Sequence, residues 1–358
     1  MNRNVLSRRV LAGVALAALA LAGCGGNDDN GTPEAGSGNG SAYSDLSGEL
    51  KASGASFPDA YYQEVVSAFQ EQAPSLTINY NATGSGTGKK QFGQGLTDFA
   101  GTDSTVKEDD GVPADSFLYV PTVAAPITVS YNLQGVDKLQ LSPETVAGIF
   151  STTIKTWNDP KIAADNPGVT LPATRITVAH RSDGSGTTNN FTKYLTAAAP
   201  DAWKLGSGDT VAWPASTQGG EKNTGVAQII SQTDGAVGYV DLSDATEAKL
   251  KFAAVKNKDG QFVEPTLEAT TAALNGAEVK EDLTYDPLNA AGAESYPITA
   301  PTYLLVKTKY DDAAKRDAVK GFVRYLLTDG QALAKEVNFA ALPEELKTKA
   351  LAQLDKVQ

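Results

Sequence analysis

Three short turns in this chain each set a hydroxyl beside glycine or proline, at points where an apolar strand pattern gives way to a helical one. They are Ser56-Phe57-Pro58, Gly84-Ser85-Gly86, and the run from Arg181 through Asp183, Gly184, Ser185 and Gly186 to Thr187. A helix N-terminus offers N–H groups that lack intrahelical partners and the positive end of the helix dipole, so each turn suits an anion. Serine and threonine also cap helices everywhere, and any one of these turns alone reads more simply as a cap. Three together point to a ligand. Arg181 adds a planar cationic fork that matches an oxyanion, and Asp183 stands where it can pair with that fork and orient it; the plainer reading is a surface salt bridge. Asp103, in "DFAGTDST", adds a carboxylate at the end of a short apolar strand, where a turn residue or helix cap is commoner.

The stretch "NYNATGSGTGKKQF" invites comparison with a nucleotide-binding P-loop, and the spacing refuses it. Gly84 stands one residue too close to Gly88 and Lys89, and Lys90 occupies the place of the magnesium-binding hydroxyl. A secreted serine-type hydrolase or phosphatase using Ser185 is the rival reading, with Ser85 as a second candidate nucleophile. Neither serine completes G-x-S-x-G, because Asp183 and Thr83 stand at the first glycine positions. His180 is the only histidine and forms no paired metal site, so neither metal nor cofactor is expected.

The elements that must hold these turns alternate strand with helix. "LTINYNA" puts Leu76, Ile78 and Tyr80 on one strand face before the glycine loop, and a helix carrying Lys90, Gln91 and Phe92 follows. "RITVAHRSDGSGTTNNFTKYL" repeats the plan, with Ile176 and Val178 in the strand and Thr187, Thr188 and Asn189 opening the helix. In "ELKASGASFPDAYYQEVVSAFQ" Pro58 is expected at a first helical position. The fold class is α/β. Trp157, Trp203 and Trp213 read as packing residues.

The N-terminus bears on the compartment. Arg3, Arg8 and Arg9 precede an apolar run, Val10 to Ala22, that is shorter than the roughly 20 residues of a membrane span. With "LAGC" this resembles a lipoprotein signal peptide (1–23), which implies a lipid on Cys24 and attachment to the outer face of the cell membrane. Cys24 is the single cysteine, so no internal disulfide can form. The Gly-, Asn- and Ser-rich segment 24–47 is expected to be a flexible tether. A formal net charge of -12 argues against nucleic acid as a partner, while a hydrophobic content of 41% is that of a chain with a real core.

"ASGASFPDAYY", "NYNATGSGTGKKQF", "DFAGTDS", "RSDGSGTTNNF", "DGAVGYVDL" and "YPITAPTYLLV" occur in this order and resemble segments of the bacterial phosphate-binding proteins PstS. The resemblance covers nearly the whole chain after the tether. It implies a substrate-binding subunit of a phosphate ABC importer with a type II periplasmic-binding-protein fold. Two α/β lobes, 48–123 plus 299–358 and 124–298, would be joined by a two-crossing hinge near Thr122 to Pro126 and Tyr296 to Pro301. Carried over by residue, the Ser56 hydroxyl, at a position where the family usually has threonine, would bond inorganic phosphate with the Phe57 N–H. Ser85, Arg181, Ser185, Gly186 and Thr187 would complete the shell, with Asp183 orienting Arg181 and itself touching the phosphate. Asp103 would accept a hydrogen bond from protonated phosphate, which fully ionised sulfate cannot give. The same resemblance implies a monomer that is no enzyme and that partners the permease subunits with their cytoplasmic ATPase.

Overall fold

The computed structural model describes residues 42–358; the expected signal peptide, Cys24 and most of the expected tether lie outside the described residues. The strand β1 (Ser47–Gly54) pairs in parallel with β2 (Ser75–Ala82), Leu50 opposite Ile78, and with β3 (Phe99–Thr102) on its other side. Along β2 the side chains alternate exposed and buried, with Leu76, Ile78, Tyr80 and Ala82 inward, as the period-2 pattern requires. Helix α1 (Asp59–Gln72) buries Tyr61, Tyr62, Val65, Val66 and Phe69. Its first residue is Asp59 rather than Pro58, which stands at the cap with φ -90° and ψ 12°, one position earlier than expected. Tyr43 packs edge-on against Phe69 and Tyr325, so the chain is already seated on the fold before β1 begins.

The 16-residue strand β4 (Phe117–Asn132) is the spine of the molecule. After it come β5 (Thr177–Arg181), β6 (Gln218–Gly220), β7 (Ala236–Asp241) and β8 (Thr299–Lys307). The sheet runs β2-β1-β3-β8-β4-β7-β5-β6. Residues Phe117 to Pro126 of β4 pair antiparallel with β8, and Ile127 to Asn132 pair with β7. One strand therefore serves these two neighbours in succession, short strands at Ala340–Ala341 and Lys251–Phe252 also pair with it, and the side chains of β4 are buried on both faces along almost its whole length. The register with β8 shifts between Pro301 and Tyr303, where a proline that cannot donate to the ladder is accommodated by a bulge. The described residues form one compact unit.

Helices enter directly from the strands. α2 (Ser85–Gly93) follows β2, α3 (Gly186–Ala198) follows β5, and α4 (Lys222–Gln232) follows β6. α2 and α3 thus begin at the two glycine turns, on opposite sides of the β8–β4 pair in strand order. Among the described residues no helix is long and apolar enough to cross a membrane.

Candidate functional site

The two glycine turns meet face to face. Gly86 donates its N–H to the Gly184 carbonyl at 3.0 Å. Gly84 adopts φ +86°, which glycine reaches at no steric cost, and a Cβ there would lie 2.6 Å from Asp183 Oδ2. The Ser56 turn joins them through the backbone: Gly84 donates to Gly54 at 2.8 Å, and Ala55 donates to Gly101, two residues before Asp103, at 2.9 Å. Ser85, Asp103 and Gly186 are brought into direct contact. Asp103 N donates to Ser85 Oγ at 3.2 Å, Ser85 Oγ reaches Asp103 Oδ2 at 3.4 Å, and a Cβ on Gly186 would stand 2.6 Å from Ser85 Oγ.

Ser185 caps α3, its Oγ accepting from Thr188 N at 3.1 Å. A hydroxyl that accepts in this way still has its proton to donate, so capping and ligand binding are compatible at Ser185. Thr187 is fully buried, and its Oγ1 lies 3.5 Å from Arg181 Nη1. Ser56 is 7% exposed, and its Oγ has no hydrogen-bond partner. Phe57 is buried and packs edge-on against Phe339. His180, beside the turn, bonds the Arg181 carbonyl through Nδ1 at 2.9 Å and stacks on Trp213; burial lowers its pKa.

Arg181 is held on two sides. Its Nε donates to Asp183 Oδ1 at 2.7 Å and its Nη2 pairs with Asp183 Oδ2, while Nη1 donates to Asn223 Oδ1 at 2.7 Å. Asn223 in turn donates to Asp241 Oδ2 at 2.7 Å. Of the five guanidinium N–H groups, these bonds leave one on Nη2 and the one on Nη1 that faces Thr187. Burial alone would raise the pKa of Asp183, but the hydrogen bond and charge of Arg181 and the Lys222 N–H outweigh it, and Asp183 is lowered.

Asp103 is the opposite case. It is 3% exposed, and burial pushes its pKa up to about 7 against the lowering effects of Thr302, Arg181 and Ser85. Its Oδ1 has no partner. A buried carboxylate oxygen without a hydrogen bond is costly, and it calls for a proton from elsewhere. The arrangement therefore suits a tetrahedral oxyanion that carries a proton: hydroxyls, main-chain N–H groups and Arg181 for its bare oxygens, Asp103 for its O–H.

Several residues in or behind this site went unread in the sequence. Asn190 donates to the Asp103 carbonyl at 2.6 Å and to Gly186 O at 3.0 Å, joining the end of β3 to the Ser185 turn. Tyr239 OH accepts from Arg181 N at 3.0 Å. Thr302 lies on β8, donates to the Thr102 carbonyl at 3.4 Å, and acts to lower the pKa of Asp103. The tandem Asn189-Asn190, weak helix formers in the first turns of a helix, was the available signal for Asn190; a threonine or asparagine elsewhere carries none.

Residues 34–330 match the PBP superfamily domain. The phosphate-binding protein PstS 2 of Mycobacterium tuberculosis is 34% identical over 96% of both chains, and PstS of Methanocaldococcus jannaschii is 38% identical over 79% of both. In fold, the chain is similar to the phosphate-bound structure of the periplasmic phosphate-binding protein PfluDING (TM-score 0.69, 23% identity, 85% of this chain and 93% of that one). The chain belongs to the PstS family of phosphate-binding proteins, within the PBP superfamily.

Proposed function

We propose that this protein binds inorganic phosphate outside the cytoplasmic membrane and delivers it to the permease of an ABC importer, whose cytoplasmic ATPase drives release. The observation that carries the reading is the buried Asp103 with its unpartnered Oδ1, set beside Ser85 and Gly186 and within the field of Arg181. Ser56, Phe57, Ser85, Asp103, Arg181, Ser185, Gly186 and Thr187 form the phosphate shell, and Asp183 holds Arg181 in place. Membership of the PstS family supports the same ligand. A lipid on Cys24 would keep the protein at the membrane as a tethered monomer.

The two lobes would be 48–123 with 299–358 and 124–298. They would hinge near Thr122 to Pro126, toward the end of the pairing of β4 with β8, and near Tyr296 to Pro301, where the chain returns into β8. Closure buries phosphate between the facing glycine turns and presents the permease with a shape that the empty protein lacks.

A hydrolase using Ser185 has little to stand on chemically, because among the described residues no base is hydrogen-bonded to Ser185 Oγ, and His180, the only histidine, bonds the Arg181 carbonyl through Nδ1. Titration calorimetry of residues 42–358, stripped of ligand by unfolding and refolding, tests the proposal. Tight one-to-one phosphate binding that excess sulfate fails to displace is expected, and Asp103→Asn should lose sulfate rejection more than phosphate affinity. No phosphate heat from correctly refolded protein would overturn it.

A further inference from the structure

Lys89, the residue that makes the glycine loop look like a P-loop, is fully buried four residues along α2 from Ser85. Its Nζ lies 2.9 Å from Asp110 Oδ2 and 3.0 Å from Asp209 Oδ2, and it donates to Ser104 Oγ at 3.2 Å and to the Thr105 carbonyl at 3.3 Å. The two carboxylates come from different parts of the molecule. Asp110 belongs to the connection between β3 and β4, beside α2, whereas Asp209 follows α3 on the other side of the β8–β4 pair. Asp209 is itself built into the far turn: its carbonyl accepts from Ser185 N at 2.9 Å, and its Oδ1 accepts from Asn189 Nδ2 at 2.8 Å.

We propose that Lys89 is a closure latch, a positioning residue whose ammonium pairs with Asp209 only when the two glycine turns are together, and so holds the phosphate site assembled. The latch rests on the binding reading above and follows from which partners separate on opening. Asp110, Ser104 and Thr105 stay with α2, so Lys89 keeps a carboxylate and two oxygens and is never left as a bare buried charge, which would make opening prohibitive. Asp209 leaves with the Ser185 turn and recovers its solvation in water. The latch thus adds a bond to the closed state without blocking the open one. Its carboxylate partner is bonded through its own carbonyl to the Ser185 N–H, so closure and the placing of the Ser185 turn are one event.

The ligand-free closed fraction sets apparent affinity, since affinity scales with the share of binding-competent molecules. In residues 42–358, Lys89→Met and Asp209→Asn are each expected to weaken phosphate binding about tenfold, chiefly through faster dissociation, with sulfate rejection unchanged. The double variant should be no weaker than the worse single one, because both remove the same bond. Asp209→Asn leaves Lys89 paired with Asp110, so it reports on the latch even where Lys89→Met fails to fold.

A second measurement needs no phosphate. Without Cys24 the protein has no cysteine, and spin labels at Glu71→Cys and Gln228→Cys, both exposed, report the distance between the two sides by pulsed electron resonance. Asp209→Asn should shift the ligand-free distribution toward longer distances. Identical distributions, or affinity losses that simply add, would overturn the latch. Wild-type protein that binds no phosphate would overturn the binding reading alone, because the distance comparison still stands.

Discussion

Gly186 lies so close to Asp103 that a Cβ built on the glycine would stand 2.6 Å from Asp103 Cβ and 2.7 Å from its Oδ2. The contact joins the start of one helix to the end of a strand on the other side of β4, and a methyl group there has no flexible chain end to push aside. Gly186→Ala should therefore oppose the meeting of the two turns. Overpacking of this kind costs about 1–3 kcal/mol, or roughly 5- to 150-fold in phosphate affinity. The two turns can relieve the clash by separating, so the urea midpoint of ligand-free protein should change little. Unchanged affinity in calorimetry would show that the turns have room to adjust.

The raised pKa of Asp103 makes a prediction about stability with a definite sign. Its folded value is about 7 against 3.8 for the free side chain, so the fold favours the protonated acid. That contribution is complete below pH about 4 and is lost as the pH rises to about 7. In phosphate-free urea unfolding, Asp103→Asn should therefore gain stability relative to wild type across this window, because asparagine never ionises. Other titrating groups, such as the buried Asp241 and its neighbour Asp244, are common to both proteins and cancel in the difference. A difference that stays flat from pH 4 to 7 would contradict burial as the cause.

The parts of the site legible in the sequence were those written within a few residues. The alternation of Leu76, Ile78 and Tyr80 declared β2, and Ser185 before Gly186 declared a capped helix. Asp183 sits two residues from Arg181, and their pairing could be read from that spacing. What stayed hidden depends on chain folding. Asn223 is 42 residues from Arg181, and Thr302 is brought beside β3 only by antiparallel pairing across the sheet. Lys89 looked like a failed P-loop lysine, since nothing nearby in sequence announces Asp209 as its partner. Single asparagines, threonines and lysines are common on surfaces, so burial, which no local pattern encodes, is what gives these three their meaning.

Arg181→Lys tests whether the planar fork is needed. The guanidinium donates to Asp183 with one edge and to Asn223 with the other, and a point-like ammonium cannot span both. Lysine should keep the charge and lose the geometry. The loss of a charged hydrogen bond is worth about 1.5–3 kcal/mol, which predicts roughly a 10- to 150-fold weaker phosphate affinity. Calorimetry of the lysine variant at neutral pH decides it: affinity within about twofold of wild type would mean that charge alone suffices.

Asn223 carries the support one bond further out, between Arg181 Nη1 and Asp241 Oδ2. It is fully buried, and so is Asp241, so Asn223→Ala strips one partner from each of two buried charged or ionisable groups at once. Leaving a buried group unsatisfied costs about 1–3 kcal/mol, and a lower urea midpoint is expected. Affinity should fall too, because Arg181 is then held by Asp183 alone and can swing away from Thr187. Asn223→Asp separates these two effects. An ionised aspartate would bond Arg181 strongly while facing the Asp241 carboxyl, so near-wild-type affinity at pH 5 should be lost toward pH 8 as the added acid ionises against its neighbour. An Asn223→Asp variant whose stability and affinity are the same at both pH values would show that Asp241 lies too far away, or too well solvated, to matter to Arg181.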